Sequence, residues 1–143
     1  MEPEIKIAST SKAMVWTGYV ISTLAVLFFL MDGIMKLLNL EMVKDINRKL
    51  GYPEAVLMPI GITLVVCTLI YAFPKTSVLG AILLTGYLGG AIATHVRVSA
   101  PEQNHGFGGE PFSIIFPVIL GVMAWGGLYL RDARLRTLLP LSK

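Results

Sequence analysis

A carboxylate and an ammonium four residues apart, Asp32 and Lys36, close an otherwise apolar run. That spacing puts them on one face of a helix, within reach of each other. Ionisable groups at membrane depth are costly and face a protein interior or water. His95 and Arg97 end a third apolar run, Glu54 and Glu110 precede the second and fourth, and His105 stands between the last two. If successive runs cross a membrane in alternating directions, all seven residues gather at one mouth of a bundle.

Three kinds of chemistry fit such a mouth. The plainest is an interfacial ion pair, with Lys36 reaching toward lipid headgroups. A second is a ligand site for the head of an amphipathic molecule. There Lys36 and Arg97 would bind oxygens, His95 would exchange a hydrogen bond or proton, and Asp32, Tyr87 and Glu110 would complete the lining. A third is acid–base catalysis on an apolar substrate, with Asp32 or His95 moving the proton and Lys36 or Arg97 steadying negative charge. A metal site from His95, His105 and Glu110 or Glu102 matches no recognised ligand spacing. Nucleophilic catalysis has no support, because no motif ties a serine or cysteine to a histidine.

The elements that must position these residues are membrane helices. Ala13–Met31, Ala55–Phe73, Val78–Thr94 and Phe112–Leu130 contain no Asp, Glu, Lys, Arg or His. Each is about long enough to cross a ~30 Å hydrocarbon core as a helix. Backbone in lipid must satisfy its own hydrogen bonds, so runs this long and apolar are helical. The expected fold is all-α: a four-transmembrane-helix bundle with spans near 13–38, 55–73, 78–96 and 112–130, forming one membrane domain over 1–143. Between the first two spans, Glu41–Leu50 sets Met42, Val43, Ile46 and Leu50 against Lys44, Asp45, Arg48 and Lys49. It reads as an amphipathic segment lying on the membrane or capping the bundle. Asn39 or Gly51 is expected to end the first helix, and Pro53 suits the start of the second.

Composition agrees. Of 143 residues, 55% are hydrophobic and 15% charged, against about a quarter charged in soluble domains. The net charge of +3 comes from residues mostly outside the apolar runs, which favours membrane lipids over nucleic acid as partners. The lone Cys67 permits neither an internal disulfide nor a CxxC pair, and reads as a packing residue. Lys6, Lys12, Lys75, Arg131, Arg134, Arg136 and Lys143 outnumber the basic residues of the other side, so both termini are expected in the cytoplasm. The first run lacks a small-x-small cleavage site and reads as a retained span. Trp16, Tyr19, Tyr71, Phe73, Trp125 and Tyr129 form an expected interfacial belt at the terminal end.

The third run is rich in small residues, Gly80, Ala81, Gly86, Gly89, Gly90, Ala91 and Ala93, with a GxxxG pair at Gly86 and Gly90, which predicts close packing against at least two neighbouring helices. Pro59 predicts a kink in the second span. Val98–Pro111 reads as a long non-helical loop, and the tail from Arg131 as a basic, amphipathic headgroup anchor.

Three segments together resemble the DoxX family, in its short DoxX-like branch: LFFLMDGIMKLLN, with Gly33 and Lys36-Leu37; LGYPEAVLMPIGI, with its Gly-Tyr-Pro turn; and GAILLTGYLGGAIATHVRV, ending near His95. The likeness spans roughly residues 15–130. It implies a four-helix protein of a cell inner membrane. Relatives in that family include a subunit of a thiosulfate:quinone oxidoreductase and a partner in a mycobacterial membrane redox complex. The resemblance therefore implies quinone binding between the helices, as part of a membrane redox system. The chain has no paired cysteines, no flavin fingerprint and no haem ligand pair within the spans, so electrons would come through a quinone, an external cofactor or a partner subunit. A non-catalytic assembly partner, with a homo-oligomer as one form, and a small acid–base enzyme remain open beside it.

Overall fold

The computed structural model describes residues 11–98 and 111–138. Four long helices follow the four apolar runs: α1 (Lys12–Leu37), α3 (Leu57–Ala72), α4 (Ser77–Val98) and α5 (Pro111–Arg131). Each is long and apolar enough to cross a membrane, α3 when counted with the turn that leads into it. Two short helices complete the chain, α2 (Glu41–Lys49) and α6 (Ala133–Leu138). A 3₁₀ turn, Glu54–Val56, leads into α3.

The long helices form a closed ring in which α1 packs on α3 and α5, α3 on α4, and α4 on α5. The core they enclose includes Ala25, Phe29, Leu64, Leu84 and Leu128. Leu24, Leu27, Ile62, Leu79, Ile82 and Val122 point outward and are exposed. Such an apolar exterior is what a hydrocarbon solvent requires.

Local chemistry ends the first two helices in the same way. Asn39 adopts a left-handed φ of 50° and Gly51 one of 78°. After α1, the Asn39 amide donates to the Lys36 carbonyl and the Leu40 amide to Met35. After α2, Gly51 donates to Arg48 and Tyr52 to Asn47. This paired arrangement satisfies carbonyls that a helix end leaves open. Of the two stops expected for the first helix, Asn39 is the one used; Gly51 ends α2 instead.

The glycines correct one expectation. The GxxxG pair of α4 predicts close packing, yet a Cβ added at Gly86, Gly89 or Gly90 meets nothing within 4 Å. Close approach occurs elsewhere. A Cβ on Gly127 would lie 2.5 Å from Ser22 Oγ and 2.9 Å from its amide, so α1 and α5 touch backbone to backbone. Gly33 and Gly61 do the same for α1 and α3, and Gly80 lies against the Tyr71 backbone. A GxxxG pair marks a face that can pack closely, but it does not say which face of the helix turns inward.

Two further expectations change. Pro59 is the third residue of α3, in a turn whose amides have no helical acceptor, so it removes no hydrogen bond there. Pro117 is the proline inside a helix. Tyr71 does not belong to the interfacial belt: it is fully buried, and its hydroxyl donates to the Ala124 carbonyl at 2.7 Å. Trp16, Tyr19 and Phe73 are exposed at the terminal end, as a belt requires. The segment 99–110, where a loop is expected, lies outside the described residues.

Candidate functional site

The site is built on the inward faces of α1, α3 and α4, toward the end of the bundle away from the termini. Gly18, Ser22, Ala25, Phe29 and Gly33 are the buried positions of α1. Asp32 and Lys36 fall on the same side of the helix, and their side chains form an ion pair. Lys36 is the more enclosed partner, with 15% of its side chain exposed against 37% for Asp32. Gly61 makes this enclosure possible. A Cβ there would come within 2.9 Å of Lys36 Cβ, so the lysine stem lies directly on the α3 backbone.

Tyr87 enters from α4, half-buried. Asp32 and Cys67 both lie within electrostatic range of its hydroxyl. Among the described residues that hydroxyl makes no hydrogen bond. A phenol inside a bundle ordinarily finds a partner, so Tyr87 keeps an unused donor within electrostatic range of Asp32. His95 lies eight residues further along α4, about 80° around the helix from Tyr87 and half-buried. At the helical rise this is about 12 Å toward the mouth. The ionisable and polar groups thus run as a track: His95 at the mouth, the Asp32–Lys36 pair below it, Tyr87 and Cys67 deeper.

The short helix α2 also has a buried side. α2 buries Val43 and Asn47, with Ile46 and Leu50 half-buried and Met42 exposed. Asn47 therefore replaces Met42 in the inward stripe expected from the sequence. Its position one turn after Val43 was the available signal; polarity argued against it. The Asn47 side-chain amide nitrogen is buried and has no hydrogen-bond partner among the described residues. Beyond α2, Tyr52 and Thr94 share a hydrogen bond of 2.9 Å. Thr94 spends its own proton on the Gly90 carbonyl, so Tyr52 is the donor. Arg97 donates to the Leu50 carbonyl at 3.1 Å. These two bonds fasten the turn after α2 to the end of α4.

The predicted residues therefore separate. Asp32, Lys36 and Tyr87 are brought together, and His95 shares their side of the bundle. Arg97 is exposed and engaged with Leu50 rather than with the Asp32–Lys36 pair. Glu54 pairs with Arg48, which also holds Asp45. Glu110, His105 and Glu102 lie outside the described residues. On the exposed face of α2, Lys44 beside Glu41 holds that carboxyl below its usual range. Glu54 in turn raises Arg48.

In chemical terms the track offers an ammonium, a carboxylate, a phenol and an imidazole in an apolar surround. It can hold a polar head bearing oxygens while the bundle and lipid take an apolar body. No group of three His, Cys, Asp or Glu able to hold a metal ion occurs among the described residues.

No curated protein matches this chain, and no solved structure does. A family model does match: the DoxX-like family, over residues 20–127. That stretch runs from early in α1 to the last turn of α5, and so includes Asp32, Lys36, Tyr87 and His95. With four helices able to cross a membrane, the chain is an integral membrane protein and belongs to the DoxX-like family.

Proposed function

We propose that this protein binds a quinone, or a lipid-like molecule with a similar oxygen-bearing head, between its helices as a subunit of a membrane redox system. The observation that carries the reading is Tyr87: a phenol inside the bundle, beside the Asp32–Lys36 pair, without a hydrogen bond among the described residues. A quinone, when bound, would supply two-electron, two-proton carrier chemistry, its electrons coming from a partner subunit. Lys36 and Tyr87 donate to the oxygens of the head. Asp32 holds the Lys36 ammonium in place, and His95 passes protons to and from the mouth. The Tyr52–Thr94 and Arg97–Leu50 bonds tie the turn after α2 to the end of α4 that carries His95. The excess of basic residues at the terminal end supports placing both termini in the cytoplasm.

The test is equilibrium binding of decylubiquinone and of menaquinone-4 to the protein in nanodiscs, with Tyr87→Phe, Lys36→Ala and His95→Ala variants. Saturable binding that weakens about tenfold in Tyr87→Phe and Lys36→Ala is expected, the loss of one charge-assisted or buried hydrogen bond each. Equal binding by all variants sinks the reading.

A second reading, a non-catalytic assembly partner, is favoured by the outer face of α4. Gly86, Gly89, Gly90 and Ala93 are exposed, a surface on which another helix can approach closely. Crosslinking from cysteines placed at positions 86 and 90 in native membranes tests it; failure to capture any protein argues against it.

A further inference from the structure

At the other end of the bundle lies a cavity of about 260 Å³, lined by Lys75, Arg131, Arg134, Tyr19, Ser77 and Asp132 among others. Its lining carries three cations and one carboxylate, an excess of positive charge. We propose that this cavity is a binding site for a phosphate group, carried by the headgroup of an anionic phospholipid.

The cations are not used up by the fold. Lys75 and Arg134 make no side-chain ion pair or hydrogen bond among the described residues, and Arg131 makes no ion pair. Arg136, nearby in sequence, shows the contrast. It donates to the Leu130 carbonyl at 2.7 Å and so closes the end of α5. Asp132 is partly spent, because its carboxylate accepts from the Arg134 amide at 2.9 Å. The one acidic group of the lining therefore leaves the three positive charges largely uncompensated.

Arg131 is also positioned in advance. Its guanidinium lies over two rings, 5.7 Å from the Tyr19 centroid and 5.2 Å from Tyr71. It reaches the Tyr71 carbonyl at 3.4 Å. Tyr71 is in turn held by Ala124, so the planar fork is fixed while most of its donors stay free. Prior fixing removes much of the ordering cost of binding. Ser77, in the lining, is the first residue of the 22-residue helix α4. Its amide end carries partial positive charge toward the same space.

Size and depth point to a headgroup. Whole-ligand pockets run from about 300 to 1,000 Å³, and this cavity is smaller than that range. Trp16, Tyr19 and Phe73 are exposed at the same end, marking the level of the membrane interface. A phosphate seated here would let its acyl chains leave along the apolar exterior. This site is separate from the track at Asp32 and stands or falls independently of it.

The test uses the full chain in neutral detergent, with native mass spectrometry and thermal stability as readouts. It is titrated with dioleoylphosphatidylglycerol, dioleoylphosphatidic acid, dioleoylphosphatidylcholine and inorganic phosphate. The two anionic lipids should bind at one per chain and raise the melting temperature, with phosphatidylcholine at least tenfold weaker. Lys75→Gln and Arg134→Gln should each weaken anionic-lipid binding about tenfold, while Lys44→Gln, at the opposite end, leaves it unchanged. Arg131→Lys should weaken it too, but Arg131 also packs on two tyrosines, so the first two variants carry the test. Inorganic phosphate binding alone, with the same sensitivity to Lys75→Gln and Arg134→Gln, keeps the phosphate site but overturns the lipid source. Equal affinity in wild type, Lys75→Gln and Arg134→Gln, or equal binding of phosphatidylcholine, overturns the proposal.

Discussion

Replacing Lys36 by methionine keeps an unbranched apolar stem against Gly61 and removes only the ammonium. Asp32 then faces the bundle interior without its partner. For a fully buried pair, deleting one member costs about 3–5 kcal/mol; for an exposed pair the interaction is worth about 0–1 kcal/mol. With 15% of the Lys36 side chain and 37% of Asp32 exposed, this pair lies between those limits. Lys36→Met should therefore cost about 1–3 kcal/mol. Asp32→Leu leaves the more enclosed charge alone and should cost at least as much. The double variant removes both charges, so its cost should fall below the sum of the singles by about 1–2 kcal/mol. The folding equilibrium can be followed in mixed micelles through Trp16 and Trp125 fluorescence during titration with dodecyl sulfate. Strictly additive costs, or single variants as stable as wild type, would refute the argument. The pair would then be a solvated bridge at the interface, and the proposed ligand site would lose the group that fixes Lys36.

Other perturbations test other parts of the structure. Gly127→Ala should destabilise by about 1–3 kcal/mol, because its methyl meets the Ser22 backbone and hydroxyl. Gly89→Ala, with nothing within 4 Å, should be neutral or gain up to about 1 kcal/mol from helix propensity; the same micelle titration compares them, and equal losses would contradict the packing described. Tyr52→Phe and Arg97→Gln each release one bond between α2 and α4, so amide exchange across 41–52 should quicken while α3 keeps its protection. Acidification should loosen the same segment. The Glu41 carboxyl is held below 4.5 by Lys44, so its contribution is present above that value and fades as pH falls through the lowered one. Protection factors, corrected for the slower intrinsic exchange in acid, should then fall in α2 between about pH 5 and pH 3 before they fall in α1, and unchanged protection would show that its ion pairs contribute nothing.

Much of this protein is set by one-dimensional signals. Four uncharged runs of membrane length require helices, because hydrocarbon offers the backbone no other partner. Alternating direction then fixes which residues share an end, which is why Asp32, Lys36 and His95 could be placed at one mouth. The i, i+4 spacing gave the ion pair. Asn39 and Gly51 were legible as stops, since few residues tolerate a left-handed turn. Other features depend on how each helix is rotated about its axis, which its own sequence specifies weakly when nearly every position is apolar. Rotation decided that Gly86, Gly89 and Gly90 face outward while Gly18, Gly33, Gly61 and Gly127 hold the interfaces. It also buried Tyr71, which a sequence places equally well in an interfacial belt. The separation of Arg97 from the Asp32–Lys36 pair follows from the turn after α2, and the basic cavity at Arg131 from the meeting of three chain segments remote in sequence. Sequence determined which groups lie at each end of the bundle; only tertiary packing decided which of them face one another, because contact between helices depends on rotation and close approach rather than on order along the chain.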